Sequence, residues 1–234
     1  MTMRFCILLL TFIFILNIQL HADTFESEIL TPAQIAEIKT NGIEGAQSVI
    51  ADLDASEFLT DSETVKKVTV EIVDLLMSID SSDRAILDLS KAVSKSILLL
   101  SNDIPLDLNS DGISDLADIS LLVGAIAEGA AMGSSHRFIE VFGDVNEDGR
   151  IDAKDVSPEI APSIVSGIIE SFRTTELKIT APDSLIKYSI QEGVNAGLET
   201  IYEHLRTHND FSPILSHPRT ETPSEDPTIV SPIR

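Results

Sequence analysis

Two twelve-residue stretches, DLNSDGISDLAD at residues 107–118 and DVNEDGRIDAKD at residues 144–155, decide how the rest of the chain is read. They agree wherever a side chain offers an inward oxygen: Asp107 with Asp144, Asn109 with Asn146, Asp111 with Asp148, Asp115 with Asp152, and Asp118 with Asp155. Gly112 and Gly149 stand at the sixth position of each stretch. A calcium ion takes about six to eight oxygens at flexible distances. A twelve-residue loop supplies them from the side chains at positions one, three, five and nine, a backbone carbonyl at seven and a carboxylate at twelve. Ile113 and Arg150 would give the carbonyls, and the glycines would make the sharp turn that a side chain hinders. Five required positions alone, Asp, Asp or Asn, Asp or Asn, Gly and Asp at one, three, five, six and nine, match by chance on the order of 10⁻⁵ per starting residue, so two matches need a cause. Four carboxylates crowded into one loop repel one another unless a cation is present. The expectation is two Ca2+ ions, one per loop.

Outward from the loops the chain reads as helices. Upstream, apolar residues recur at helical spacing from Ile35 through Leu53, with a break near Asn41 and Gly42. Asp61 or Ser62 can cap a helix with the stripe Val65, Val68, Ile72, Leu75 and Ile79. The run Ser81, Ser82, Asp83 can cap another with Ile86, Leu89, Val93, Ile97 and Leu100. Pro105 disfavours helix at Ile104, so the latter helix should stop before the first loop. Between the loops Ile119, Leu122, Val123 and Ile126 form a helical face that fades through residues 129–135. After the second loop Pro162 restarts a helix in its first turn, with Ile164, Ile168 and Phe172 on one face. A last helix from Asp183 to about Arg206 carries Ile186, Ile190, Val194, Leu198, Ile201 and Leu205. Its Gly193 and Gly197 would let a neighbouring helix come close. The fold class is all-α: a helical N-terminal region, two calcium loop–helix repeats and a C-terminal helix.

The ends differ from this body. Arg4 precedes an apolar run at residues 5–20, and Ala22 stands before Asp23, which is the order of a secretory signal peptide, so residues 1–22 are expected to be removed. The run is too short to span a bilayer, which takes about 20 apolar residues. The lone cysteine, Cys6, leaves with the leader, so the exported chain would have no disulfide and would need another staple. Beyond Asn209 five prolines, Pro213 to Pro232, predict a disordered tail over 209–234. With 16 basic and 38 acidic residues the net charge is -22, which repels nucleic acid and anionic membranes and attracts cations.

The paired loops ending in Asp rather than Glu, the phrase Gly143-Asp144-Val-Asn146-Glu-Asp148-Gly149 and the weak entering helix resemble a dockerin domain. The resemblance covers residues 106–172, and with it the chain divides into a signal peptide at 1–22, a helical region at 23–102, a dockerin-like domain at 103–173, a C-terminal helix at 174–208 and the tail at 209–234. The resemblance implies two loop–helix units packed on each other, held by calcium and docking on a cohesin-like exported partner in carbohydrate-degrading assemblies. EF-hands are the nearest rival, but Pro105 and Gly143 argue against the entering helices that those need. Ser114 stands where the second loop has Ile151, and the pairs Leu116-Ala117 and Ala153-Lys154 replace the Ser-Thr that many dockerins present to their partner. Ile151 packing between loops predicts that the second loop is the tighter site.

No enzyme is expected. His136, His204, His208 and His217 are scattered without zinc spacing, and the chain has no nucleophile elbow and no glycine-rich phosphate loop. Two functions follow: calcium-dependent docking on an exported protein, or a stand-alone calcium-stabilised structural protein of EF-hand type.

Overall fold

The computed structural model describes residues 29–179 and 181–207, so the expected signal peptide and the proline-rich tail lie outside the described residues. Within them the chain is all-helical, as expected, with seven α-helices and one 3-10 turn. These are α1 (Pro32–Ala51), α2 (Ala55–Phe58), α3 (Ser62–Ile79), α4 (Asp83–Leu100), α5 (Leu116–Phe142), the 3-10 turn Ala153–Asp155, α6 (Ile160–Thr174) and α7 (Asp183–Thr207).

Local chemistry sets most of the boundaries. Thr31 and Gln34 form a reciprocal capping box, with Pro32 in the first turn, so α1 starts there. Gly42 breaks its helical path at φ 58 and ψ -131, which is the interruption that the sequence predicts. Asp61 caps α3 by accepting from the Thr64 amide at 2.8 Å, and that bond holds its carboxyl below the usual carboxylate range. Ser82 caps α4 in the same way through the Ala85 amide. The expected stripes face inward: Val65, Val68, Ile72 and Leu75 on α3, and Ile86, Leu89, Val93, Ile97 and Leu100 on α4, are buried. Ile79, the last residue of α3, is exposed instead.

The helices form two layers. Helix α5 packs chiefly on α7 and α3, while α4 packs on α6 and α1. Contacts fix the directions: Ser120 meets Ser189 at 2.6 Å, and Cβ atoms added at Gly193 and Gly197 would fall 2.2 Å from the Gly124 carbonyl oxygen and 2.5 Å from that of Glu128. Helices α5 and α7 therefore run parallel. On the other side of α5, Cβ atoms at Gly129 and Gly133 would lie 2.6 Å from Lys66 O and 2.8 Å from Val70 O, so α3 runs parallel to it too. In the second layer Gly167 abuts Leu87 and Ser171 bonds Ser94 at 2.8 Å, which makes α4 and α6 parallel as well.

This packing corrects the reading of residues 129–135. Their apolar periodicity fades because α5 needs small residues where the α3 backbone closes on it. The helix does not stop there; it continues to Phe142. Gly193→Ala tests the close approach. Alanine favours a helix by about 1 kcal/mol over glycine, yet the overpacked methyl should leave the variant less stable than the parent by about 1–3 kcal/mol in urea unfolding. An unchanged or raised midpoint would show that α5 and α7 stand further apart.

Candidate metal centres

The two aspartate loops are two of the connections between the layers: 107–118 leads from α4 into α5, and 144–155 leads from α5 towards α6. Each folds around its own carboxylates with the same bonds. At position one, Asp107 accepts from the amides of Asp111 and Gly112, both at 3.0 Å; Asp144 accepts from those of Asp148 at 3.2 Å and Gly149 at 2.7 Å. At position three, Asn109 and Asn146 accept from the amides of Asp111 and Asp148. At position five, Asp111 and Asp148 accept from the amides of Ile113 and Arg150, the residues whose carbonyls the pattern assigns to a ligand role. At position nine, Asp115 and Asp152 accept from Ala117 and Lys154.

Position twelve closes each loop on itself. Asp118 accepts from the Asp115 amide at 2.9 Å and the Asn109 amide at 3.2 Å, and Asp155 from Asp152 at 2.8 Å and Asn146 at 3.1 Å. Both carboxylates are buried, at 0% and 1% exposure, while Asp107, Asp115, Asp144 and Asp152 are half-buried and Asn109, Asp111, Asn146 and Asp148 are exposed. The backbones also share left-handed residues: Ser110 and Glu147 at position four have φ of 59 and 58, Gly112 and Gly149 at position six 80 and 83. The glycines are required there because L side chains rarely adopt such angles.

The surroundings of the loops differ. The first is fastened to the core by Leu106 and Leu108, both buried, and the Leu108 amide adds a bond to Asp118 at 2.7 Å. Asp115 caps α5 directly, with Asp118 completing the capping box. In the second loop Val145, the counterpart of Leu108, is 51% exposed. Asp152 and Asp155 make the same box but start only the three-residue 3-10 turn; α6 begins five residues after Asp155. Lys154 lies over this loop, its Nζ 3.8 Å from Asp148 and 3.9 Å from Asp152.

Two expectations need correction. The second loop does have an entering helix, since α5 runs to Phe142 with Gly143 as its cap. Nor do the loops sit side by side: they flank opposite ends of a 27-residue helix, about 40 Å long at 1.5 Å per residue. Ile151 accordingly does not pack between the loops and is 39% exposed.

A different group of possible ligands lies between α3 and α5. Among the described residues, Asp74, His136 and Glu140 are the one set of three or more His, Cys, Asp or Glu whose ligand atoms all lie within 4.8 Å of one another. The loop carboxylates do not draw together that closely. His136 Nδ1 stands 2.9 Å from Asp74 Oδ1, and both residues are buried. The guanidinium of Arg137 bonds the other oxygen of Asp74 and reaches Glu140 at 2.5 Å. A cationic side chain thus already bridges the two carboxylates, so the group reads as an ion-pair network rather than a metal site. Sequence reading missed it because Asp74 comes from another helix. The only local signal was the spacing of His136 and Glu140, four apart on one helix face.

No protein-family model matches the chain, and no curated protein and no solved structure is significantly similar to it.

Proposed function

We propose that the chain is an exported calcium-binding protein in which residues 107–142 and 144–174 are two loop–helix units, each holding one Ca2+, and the ions clamp two of the connections between the helical layers. The observation that carries this reading is the repeated bonding of the loops: the same acceptors meet the same amides at positions one, three, five, nine and twelve in both. These bonds hold the Asp and Asn side chains and the buried Asp118 and Asp155 on one loop apiece, a donor set of hard oxygens that suits calcium. Bound there, the ion would neutralise the crowded carboxylates and so relieve their repulsion. A cysteine-free exported chain would gain from it the staple that a disulfide supplies elsewhere.

The second reading is calcium-dependent docking on an exported partner, the cohesin-like protein that the dockerin resemblance implies. It is favoured by the exposed apolar side chains Val141, Phe142, Val145 and Ile151, which lie close together in sequence at the second loop and are of the kind that partners cover. The separation of the loops along α5 favours the first reading, since it leaves no paired-loop face. Capture of one exported protein by the immobilised full-length chain in calcium but not in chelator would favour docking.

Calcium titration of Asp107→Ala and Asp144→Ala tests the sites themselves. The first loop is held by Leu106, Leu108 and the start of α5, so it loses less freedom on binding and should be the tighter site. This reverses the order expected from Ile151 against Ser114, because the packing assumed for Ile151 does not occur. Asp107→Ala should remove the higher-affinity transition and Asp144→Ala should keep it. The opposite pattern would restore the sequence-based order, and two unchanged titrations would end the calcium reading.

A further inference from the structure

The two loops are nearly the same object by hydrogen bonding, which makes a charge that only one of them directs at its own carboxylates informative. At position eleven the first has Ala117 and the second Lys154. Both backbone amides donate to the carboxylate at position nine, at 2.7 Å and 2.8 Å, so the side chains leave the loop from the same place. Only the second carries a charge back over the rim. The ammonium of Lys154 lies 3.8 Å from Asp148 Oδ2 and 3.9 Å from Asp152 Oδ2, two of the carboxylates assigned to the ion. Its side chain is 72% exposed, and among the described residues these two carboxylates are the acidic groups within ion-pair reach of it.

We infer that Lys154 is a built-in counter-cation of the second loop, which competes with calcium there and sets that site to respond at a higher calcium concentration than the first. The inference rests on the calcium reading of the loops. Without metal, the ammonium offsets part of the repulsion between Asp148 and Asp152. With metal, the same ammonium faces a divalent ion and must swing out or bear the repulsion. Either course lowers affinity, and the first loop, with a methyl at the equivalent position, has no such term. The lysine would thereby widen the gap that the firmer seating of the first loop already opens between the two sites: a first loop filled whenever calcium is plentiful, and a second that follows its concentration.

Coulomb's law puts one unit charge against a divalent ion a helical turn away at about tenfold in affinity in water, and about threefold once 0.15 M salt screens it. The amides of Gly112 and Gly149, each bonded to the first carboxylate of its own loop, give separate NMR signals for the two sites in the full-length chain. Calcium is titrated into the parent, Lys154→Ala, Lys154→Gln, Lys154→Arg and Ala117→Lys. The Gly149 midpoint should fall about threefold in 0.15 M salt, and towards tenfold at low salt, for Lys154→Ala and Lys154→Gln, and should stay put for Lys154→Arg. The Gly112 midpoint should not move in any Lys154 variant, and should rise by a similar factor in Ala117→Lys. If both glycines respond to calcium but neutralising Lys154 leaves the Gly149 midpoint within about 1.5-fold at low salt, the counter-cation is refuted while the calcium reading stands. If neither glycine responds at millimolar calcium, the calcium reading fails and takes this inference with it.

Discussion

Removing calcium is expected to lower the stability of the chain by about 5 kcal/mol. The figure follows from mass action: in about 10⁻³ M calcium a first site with Kd about 10⁻⁵ M stabilises the folded state by about 2.7 kcal/mol, and a second site about threefold weaker adds about 2 kcal/mol. That is a large share of the ~5–15 kcal/mol by which domains are usually stable. The first loop should account for more of the loss, because Leu106, Leu108 and the first turn of α5 all lean on it. Asp118, fully buried, accepts the amides of Leu108, Asn109 and Asp115, so a loosened loop would expose a carboxylate and two core leucines together. Urea unfolding in excess calcium and in chelator measures the difference. Coincident curves would show that the loops stand without metal.

The loops and the helical stripes were legible because their signals are local. Five oxygen-bearing positions and a glycine repeat in order, and the caps at Asp61 and Ser82 lie within three residues of the amides they satisfy. The course of α5 was not legible, because its small residues answer to distant neighbours. Gly129 and Gly133 look like weak helix from propensity alone, and only the carbonyls of Lys66 and Val70 explain them. The relation between the loops was hidden for the same reason. Once α5 is unbroken, it must hold them apart, and the contrast between buried Leu108 and exposed Val145 follows from which end of that helix meets the core. Position-by-position identity therefore predicted how each loop folds but not how firmly it is held.

The ion-pair network between α3 and α5 leads to the other large effect: Arg137→Ala should cost about 3–5 kcal/mol. Asp74 is 1% exposed, so its charge has no water to fall back on, and the guanidinium is the group that bonds its second oxygen while also reaching Glu140. Truncating the arginine leaves a buried carboxylate short of a partner, which is worse than never having had the pair. Arg137→Lys should recover only part of the loss, because a single ammonium cannot match the planar fork that meets two carboxylates at once. The double variant Asp74→Asn with Arg137→Met separates this account from simple loss of packing. It removes both charges and keeps an acceptor for His136, so it should unfold at higher urea than Arg137→Ala alone. If instead the double variant is the weaker of the two, the arginine acts through the contacts of its stem, and the buried charge of Asp74 is not what makes its loss expensive.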